Sequence, residues 1–341
     1  MTNAPFAPRD LRNDPGVVHD VIAVGNALVD VIASRDDAFI ASMQMEKGAM
    51  SLIDADRALH LYGALDGAVQ MSGGSAANTM AGVASFGGRA AFIGKVANDA
   101  LGDVFGHDLH AIGVKFARPF GGDSLPTGRC MIVVTPDAQR TMNTFLGISS
   151  LLLPGDIDEA AIKAAAVVYL EGYLFDRDEA KHAFRIAAGH AHAAGRQVAL
   201  TLSDAFCVDR HRADFRALIA DGVDVLFGNE SELLSLYETD TFEFAVTQLR
   251  RECTVAAITR SEQGSVVITP DRVISVGAKP VAQVIDTTGA GDLYAAGFLF
   301  GYTRGLSLET CADLGHIAAA EVISHVGPRP LVPLASLVTA L

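Results

Sequence analysis

Short, continuous apolar runs set at intervals along the chain constrain its fold more than any other feature. Val21–Val24, Ala90–Gly94, Ala166–Leu170, Val198–Leu202, Val223–Phe227, Val255–Thr259 and Ser265–Thr269 are apolar on successive residues rather than alternate ones. Strands buried on both faces have this pattern. Segments with helical spacing separate most of them: Ser75–Phe86, Gly102–Ile112, Arg177–Ala194, Arg210–Ala220, Ser231–Leu236 and Phe242–Glu252. The alternation predicts an α/β protein with a mostly parallel sheet covered on both faces. Two stretches break the rhythm. Residues 31–70 carry an extended segment at Gly48–Ile53 without an obvious helix partner. Residues 115–150 carry Arg129–Val134 and Arg140–Phe145 around a Pro136-Asp137 turn, a hairpin pattern. Both read as parts of a small accessory sheet, a lid outside the main layer.

Bulk properties exclude several function classes. The 341 residues suffice for one large α/β domain or two smaller ones, and half of them are hydrophobic. A net charge of −14 argues against a general nucleic-acid binder, which needs a basic footprint. No apolar run approaches the ~18 residues that span a bilayer, and Met1 to Asp20 contains no signal-peptide core. Cys130, Cys207, Cys253 and Cys311 are scattered without CxxC spacing. A reduced, cytoplasmic protein without structural zinc is the simple reading.

Chemistry concentrates in Asp286-Thr287-Thr288-Gly289-Ala290-Gly291-Asp292, with the apolar segment Leu293–Phe298 directly behind it. Glycines allow backbone N–H groups to approach a ligand closely. A helix starting at Gly289 or Ala290 makes those groups an anion cradle. A carboxylate inside that cradle suits phosphoryl transfer, where it receives the proton of an attacking hydroxyl. The helix start favours ionised Asp292 and weakens it as a base, while nearby phosphate charge works the other way. P-loop, GxGxxG and HRD/DFG signatures do not occur.

Three further motifs accompany the run. Gly73-Gly74-Ser75-Ala76-Ala77-Asn78 either holds a polyhydroxylated ligand or makes a tight turn before a close helix–sheet contact. Gly25–Asp30 follows the first strand, where ligands sit in open α/β sheets; Asp30 either accepts from two adjacent hydroxyls or caps a turn. Asn229-Glu230-Ser231-Glu232 either holds a hydrated Mg²⁺ or forms a capping box. The pairs His107/His110 and His190/His192 lack supporting ligands and read as solvated helix faces.

The two glycine clusters, the Asn-x-x-Glu and the Asp286–Asp292 run, in this order and spacing from about residue 20 to 330, resemble the ribokinase-like (PfkB) carbohydrate kinase family. The resemblance implies a doubly wound three-layer α/β/α sandwich in a single domain over 1–341. Its lid would come from segments within about 31–70 and 115–150. It also implies ATP-dependent phosphorylation of a primary hydroxyl on a sugar or nucleoside. Within the family the chain is most similar to bacterial adenosine kinases, through Gly25–Asp30, Gly73–Asn78 and Tyr169–Tyr173. Ribokinase, fructokinase and other nucleoside kinases share most of these positions, and a silent sugar or nucleotide sensor is the non-enzymatic alternative.

The resemblance further makes Asp292 the catalytic base, with Gly289, Ala290 and Gly291 as the anion hole and Arg129 reaching the transferring phosphate. Asn26, Asp30, Gly73, Gly74 and Asn78 would bind ribose, and Tyr173 would stack on a purine. Asn229 and Glu232 would organise Mg²⁺ and its waters. Thr259 and Gly264 would line the ATP site, with His316 on a neighbouring helix. Asp286 and the Thr288 carbonyl would hold a monovalent cation such as K⁺. The partners are small molecules, with neither nucleic acid nor membrane, and the protein is a monomer or a homodimer.

Overall fold

The structure, a computed structural model, describes residues 7–117, 124–137 and 139–338. The N-terminal stretch before residue 7, and residues 118–123 and 138 of the second accessory segment, lie outside the described residues. In chain order the strands are β1 (His19–Val24), β2 (Leu28–Ser34), β3 (Met50–Leu52), β4 (Val69–Gly73), β5 (Ala90–Ile93), β6 (Lys115–Phe116) and β7 (Gly128–Val134). They continue with β8 (Arg140–Phe145), β9 (Ala165–Glu171), β10 (Gln197–Thr201), β11 (Val225–Asn229), β12 (Val255–Thr259), β13 (Ser265–Ile268) and β14 (Val273–Val276). Among the described residues, nine form a sheet in the order β14-β13-β12-β11-β10-β9-β1-β5-β6 and five form a second in the order β3-β8-β7-β2-β4.

The large sheet is parallel from β6 to β12 and closes with the antiparallel strands β13 and β14. Side chains alternate along each strand, so one residue in two meets each helical layer. Val21, Ala23, Phe92, Tyr169 and Phe227 pack with α3 (Ser75–Ser85), α10 (Ala290–Thr303) and α11 (Leu308–Val322). Ile22, Val24, Val168 and Leu170 pack with α6 (Asp178–Ala193), α7 (Ala205–Gly222), α8 (Glu230–Tyr237) and α9 (Phe242–Leu249). Three layers and a second, small sheet make a ribokinase-like α/β fold.

Three local expectations change. The strand expected at Val223–Phe227 forms two residues later, because Val223 caps the end of α7. The stretch 31–70 is not only extended: α1 (Asp37–Ser42) and α2 (Ala55–Ala64) form there, each started by an aspartate whose side chain accepts from a first-turn N–H. Their apolar residues Ile40, Ala58 and Leu61 cover one face of the small sheet, against Val29, Val31, Met131 and Val133. Asp30 lies inside β2 rather than in a turn. The remaining helices are α4 (Ala100–Ala111) and the short α5 (Glu159–Lys163).

Candidate active site

A cavity of about 820 Å³ opens between the two sheets. From the large sheet it takes residues at or just beyond the carboxyl ends of parallel strands: Asn26 after β1, Glu171 on β9, Thr201 on β10, Asn229 on β11 and Thr259 on β12. Ligands are expected at this edge of an open α/β sheet. From the small sheet it takes Leu28, Asp30, Cys130, Ile132, Met142 and Thr144, which share one face by the two-residue alternation.

Residues 287–292 of the glycine-rich run line the cavity, with Asp286 buried behind them. Gly289 has φ +77°, and a Cβ there would stand 2.9 Å from Pro328. Helix α10 begins at Ala290, whose N–H donates to the Thr287 carbonyl (3.2 Å), while the N–H groups of Gly291 and Asp292 have no protein acceptor among the described residues. A Cβ at Gly291 would meet nothing within 4 Å, and its φ is ordinary. The fold therefore gives no reason for a glycine at 291, whereas a ligand at the helix start does.

Asp292 faces the cavity and is held from α3: Ser75 Oγ donates to its Oδ1 (2.6 Å) and Asn78 Nδ2 to its Oδ2 (3.1 Å). The helices come close because Gly82 of α3 has no side chain; a Cβ there would lie 2.5 Å from that of Ala296 on α10. Burial pushes the proton affinity of Asp292 up, against the hydrogen bonds from Ser75 and Asn78 and the charge of Arg329. Desolvation thus outweighs these stabilising contacts and leaves Asp292 a stronger base than a free carboxylate.

The other end holds buried carboxyls. Gly73 leaves space for Asp30, whose carboxyl carbon would lie 2.3 Å from a Cβ at 73, and Gly74 takes φ +93° with its α-carbon against the Asn26 carbonyl. Burial pushes Asp30 up to about 7, opposed by Arg329 and Arg140 and reinforced by Asp292. Glu171 accepts from Asn26 N and Nδ2 (3.2 and 2.9 Å) and from Ala76 N (2.8 Å), tying the β1 loop to α3; burial pushes it too up to about 7. Arg329 Nη2 donates to the Ser72 carbonyl (2.7 Å) and Oγ (3.0 Å), and its Nε and Nη1 are buried without a hydrogen-bond partner among the described residues.

Several expected residues sit elsewhere. Arg129 is on the far face of the small sheet, its guanidinium 5.3 Å from the Tyr62 ring centroid and 6.0 Å from that of Phe145. Strand parity explains the correction: Cys130 and Ile132 face the cavity, so Arg129 cannot. Arg140, in register with Val134, is the small-sheet arginine on the same face as Met142 and Thr144, and it pairs with Asp286. His316 is interior; its Nε2 shares a hydrogen bond with Ser265 Oγ (2.9 Å), and burial lowers its proton affinity. Gly264 is a turn residue with φ +89° whose α-carbon is pressed against the Val276 carbonyl. Neither His316 nor Gly264 lines the cavity.

Asn229 and Glu232 do form a capping box: Asn229 Oδ1 accepts from Glu232 N (2.9 Å) and Glu232 Oε2 from Asn229 N (3.0 Å). Both also line the cavity, and burial pushes Glu232 up to about 7. This is a hard-oxygen donor set with one carboxylate, which suits a magnesium ion held through its own waters. Tyr173 lines the cavity with its hydroxyl donating to the Ser203 carbonyl (3.3 Å), and Phe206, 77% exposed, stands at the rim. Sequence reasoning did not assign Ser75, Glu171 and Phe206, which line the cavity, nor Arg140 and Arg329, which face its buried carboxyls. Glu171 had a readable signal, a lone carboxylate ending an apolar strand; Arg329 had none.

A doubly wound sheet, a small second sheet beside its carboxyl edge and a carboxylate at a glycine-rich helix start define a small-molecule kinase of the ribokinase-like fold. The chain belongs to the pfkB family of carbohydrate kinases, whose pattern matches residues 63–334. It is 54% identical to adenosine kinase from Sinorhizobium meliloti, with a TM-score of 0.87 over 94% of this chain and 98% of that one. It is 48% identical to a probable sugar kinase from Rhizobium etli, with a TM-score of 0.88 over the same shares. The adenosine kinase of Saccharomyces cerevisiae is 27% identical over 331 residues, spanning 90% of this chain and 96% of that protein. The protein is thus a phosphotransferase that acts on a hydroxyl group with ATP as co-substrate.

Proposed function

We propose that the chain phosphorylates the 5′-hydroxyl of adenosine, converting ATP and adenosine to ADP and AMP. The observation that carries this reading is the placement of Asp292. It stands at the start of α10 beside the unpaired N–H groups of Gly291 and its own residue, in one cavity with Asp30 and Asn78 at one end and Asn229 and Thr259 at the other. Similarity to the Sinorhizobium adenosine kinase supports adenosine as the alcohol.

In this reading Asp30, Asn26, Gly74 and Asn78 hold the ribose, with Gly73 leaving room for Asp30. Tyr173 and Phe206 contact the purine. Asp292 orients the 5′-hydroxyl and takes its proton as the new O–P bond forms and the bond to the bridging oxygen of ADP breaks. The unpaired N–H groups of Gly291 and Asp292 stabilise charge on the transferring phosphoryl, while Gly289 and Ala290 shape the turn that presents them. Asn229 and Glu232 would hold magnesium through its waters, and the ion when bound would neutralise phosphate charge. Thr259 borders the nucleotide. The small sheet acts as a lid that excludes water. No helix among the described residues is long and apolar enough to cross a membrane, and the ATP supply and thiol-only cysteines fit a cytoplasmic enzyme.

The probable sugar kinase at 48% identity favours one second reading, with ribose or a hexose as acceptor. ADP release from Mg-ATP, measured across purine nucleosides, pentoses and hexoses, decides. Adenosine is expected to give the highest kcat/KM. A best acceptor without a base replaces adenosine by a sugar, and no turnover with any acceptor sinks the kinase assignment.

A further inference from the structure

Asp286 opens the glycine-rich run, and only 4% of its side chain is exposed. Its oxygens are already engaged. Oδ1 accepts from Thr288 N (3.0 Å), Oδ2 accepts from Gly327 N (2.8 Å), and Arg140 Nη2 stands 2.5 Å from the same Oδ2. Ile285 N donates to the Ile323 carbonyl (2.8 Å), so the segment after α11 is bound to the run by the backbone as well. One carboxylate therefore joins the anion-hole loop, the chain after α11 and a side chain from β8 of the small sheet.

The family resemblance places a monovalent cation on this carboxylate and on the Thr288 carbonyl. The donor set here does not suit one. Two backbone N–H groups and a guanidinium, none of them able to ligate a cation, surround the carboxylate. A cation at coordination distance from Oδ2 would meet the like charge of Arg140, which is 7% exposed and poorly screened. We infer that Arg140 is the built-in counter-ion of Asp286, and that the enzyme needs no monovalent cation to set its anion-hole loop. Arg140 is a positioning residue in this role: it acts on the loop through Asp286. The small sheet then supplies, from its own strand, the charge that a bound cation would bring from solution.

The inference leans on the kinase reading for its rate measurement alone. Turnover is compared in potassium chloride and choline chloride at matched ionic strength, with magnesium constant. The gain in potassium is expected to stay below about fivefold, the lower end of ordinary ligand coupling; a larger gain overturns the inference. Thermal unfolding forms a second arm that needs no activity: potassium should raise Tm no more than choline does. A chain without kinase activity still melts and still tests the inference in that arm, so the two readings fail separately. Arg140→Met removes the charge and is expected to gain a potassium-dependent Tm that the unaltered chain lacks. A variant with unchanged Tm in both salts overturns the counter-ion role. If Arg140→Met does not fold, Arg140→Lys keeps a positive charge at the same strand position. Recovery of the fold supports the inference, and equal loss overturns it.

Discussion

Asp292 is subject to opposing influences: burial raises its proton affinity, and Ser75, Asn78 and the charge of Arg329 lower it. A base held this way is oriented by two hydrogen bonds and remains able to accept a proton late in the transfer. Asp292→Asn keeps an acceptor for Ser75 and can donate to Asn78 once that amide turns over, so it is expected to bind adenosine normally while losing about two or more orders of magnitude in kcat, checked by isothermal titration beside steady-state kinetics. Asp30 supplies the pH dependence. Its carboxyl must be ionised to accept from two hydroxyls, and burial holds it up to about 7 with Arg329, Arg140 and Asp292 facing it. Adenosine kcat/KM should therefore rise with pH through that value and level off above it. Removing an opposing cation by Arg329→Gln should move the limb to higher pH; a limb that stays in place would show that Arg329 acts only through Ser72. The carboxylates of the run and of Gly25–Asp30 were legible in the sequence because glycines stand beside them. Arg129 was misread because residue type alone does not tell which face of a strand a side chain occupies.

At the scale of elements, the site depends on how closely α3 and α10 approach. Gly82 permits that approach, since its Cβ would fall 2.5 Å from Ala296 Cβ and 2.7 Å from Leu293 Cδ1. Gly82→Val should push the helices apart and cost about 1–3 kcal/mol by overpacking. It should also lower kcat/KM more than the stability loss explains, because Ser75 and Asn78 then leave Asp292. Denaturant melts beside kinetics at a temperature where the variant is folded test this, and unchanged kinetics would detach helix spacing from catalysis. The parallel strands were visible beforehand because burial on both faces leaves a plain signature in Val, Ile, Leu and Ala. Strand β4 and helices α1 and α2 were not, since β4 reads Val-Gln-Met-Ser-Gly and its first two residues are exposed. What makes it a strand is pairing with β2, a contact that local composition does not encode.

For the whole molecule, three buried carboxyls, Asp30, Glu171 and Glu232, are all pushed up to about 7 by desolvation. In the unfolded chain such groups titrate near 4. Between those values the folded form binds more protons, so stability falls as pH rises from about 4 to about 7. Asp137 and Glu159, lowered by partners on the surface, work in the opposite sense but are exposed and screened. The apo protein should melt higher near pH 5.5 than near pH 8, by calorimetry, and a flat profile would remove these carboxyls from the balance. The pairing of the small sheet also has a consequence during synthesis. Strand β2 lies between β4, which leaves the ribosome soon after it, and β7, which pairs with it in parallel along Leu28–Ser34 and emerges much later. A nascent chain thus displays one open edge of β2 through the translation of α3, β5 and α4, inviting chaperone capture or pairing with a neighbouring polysome product until the hairpin arrives.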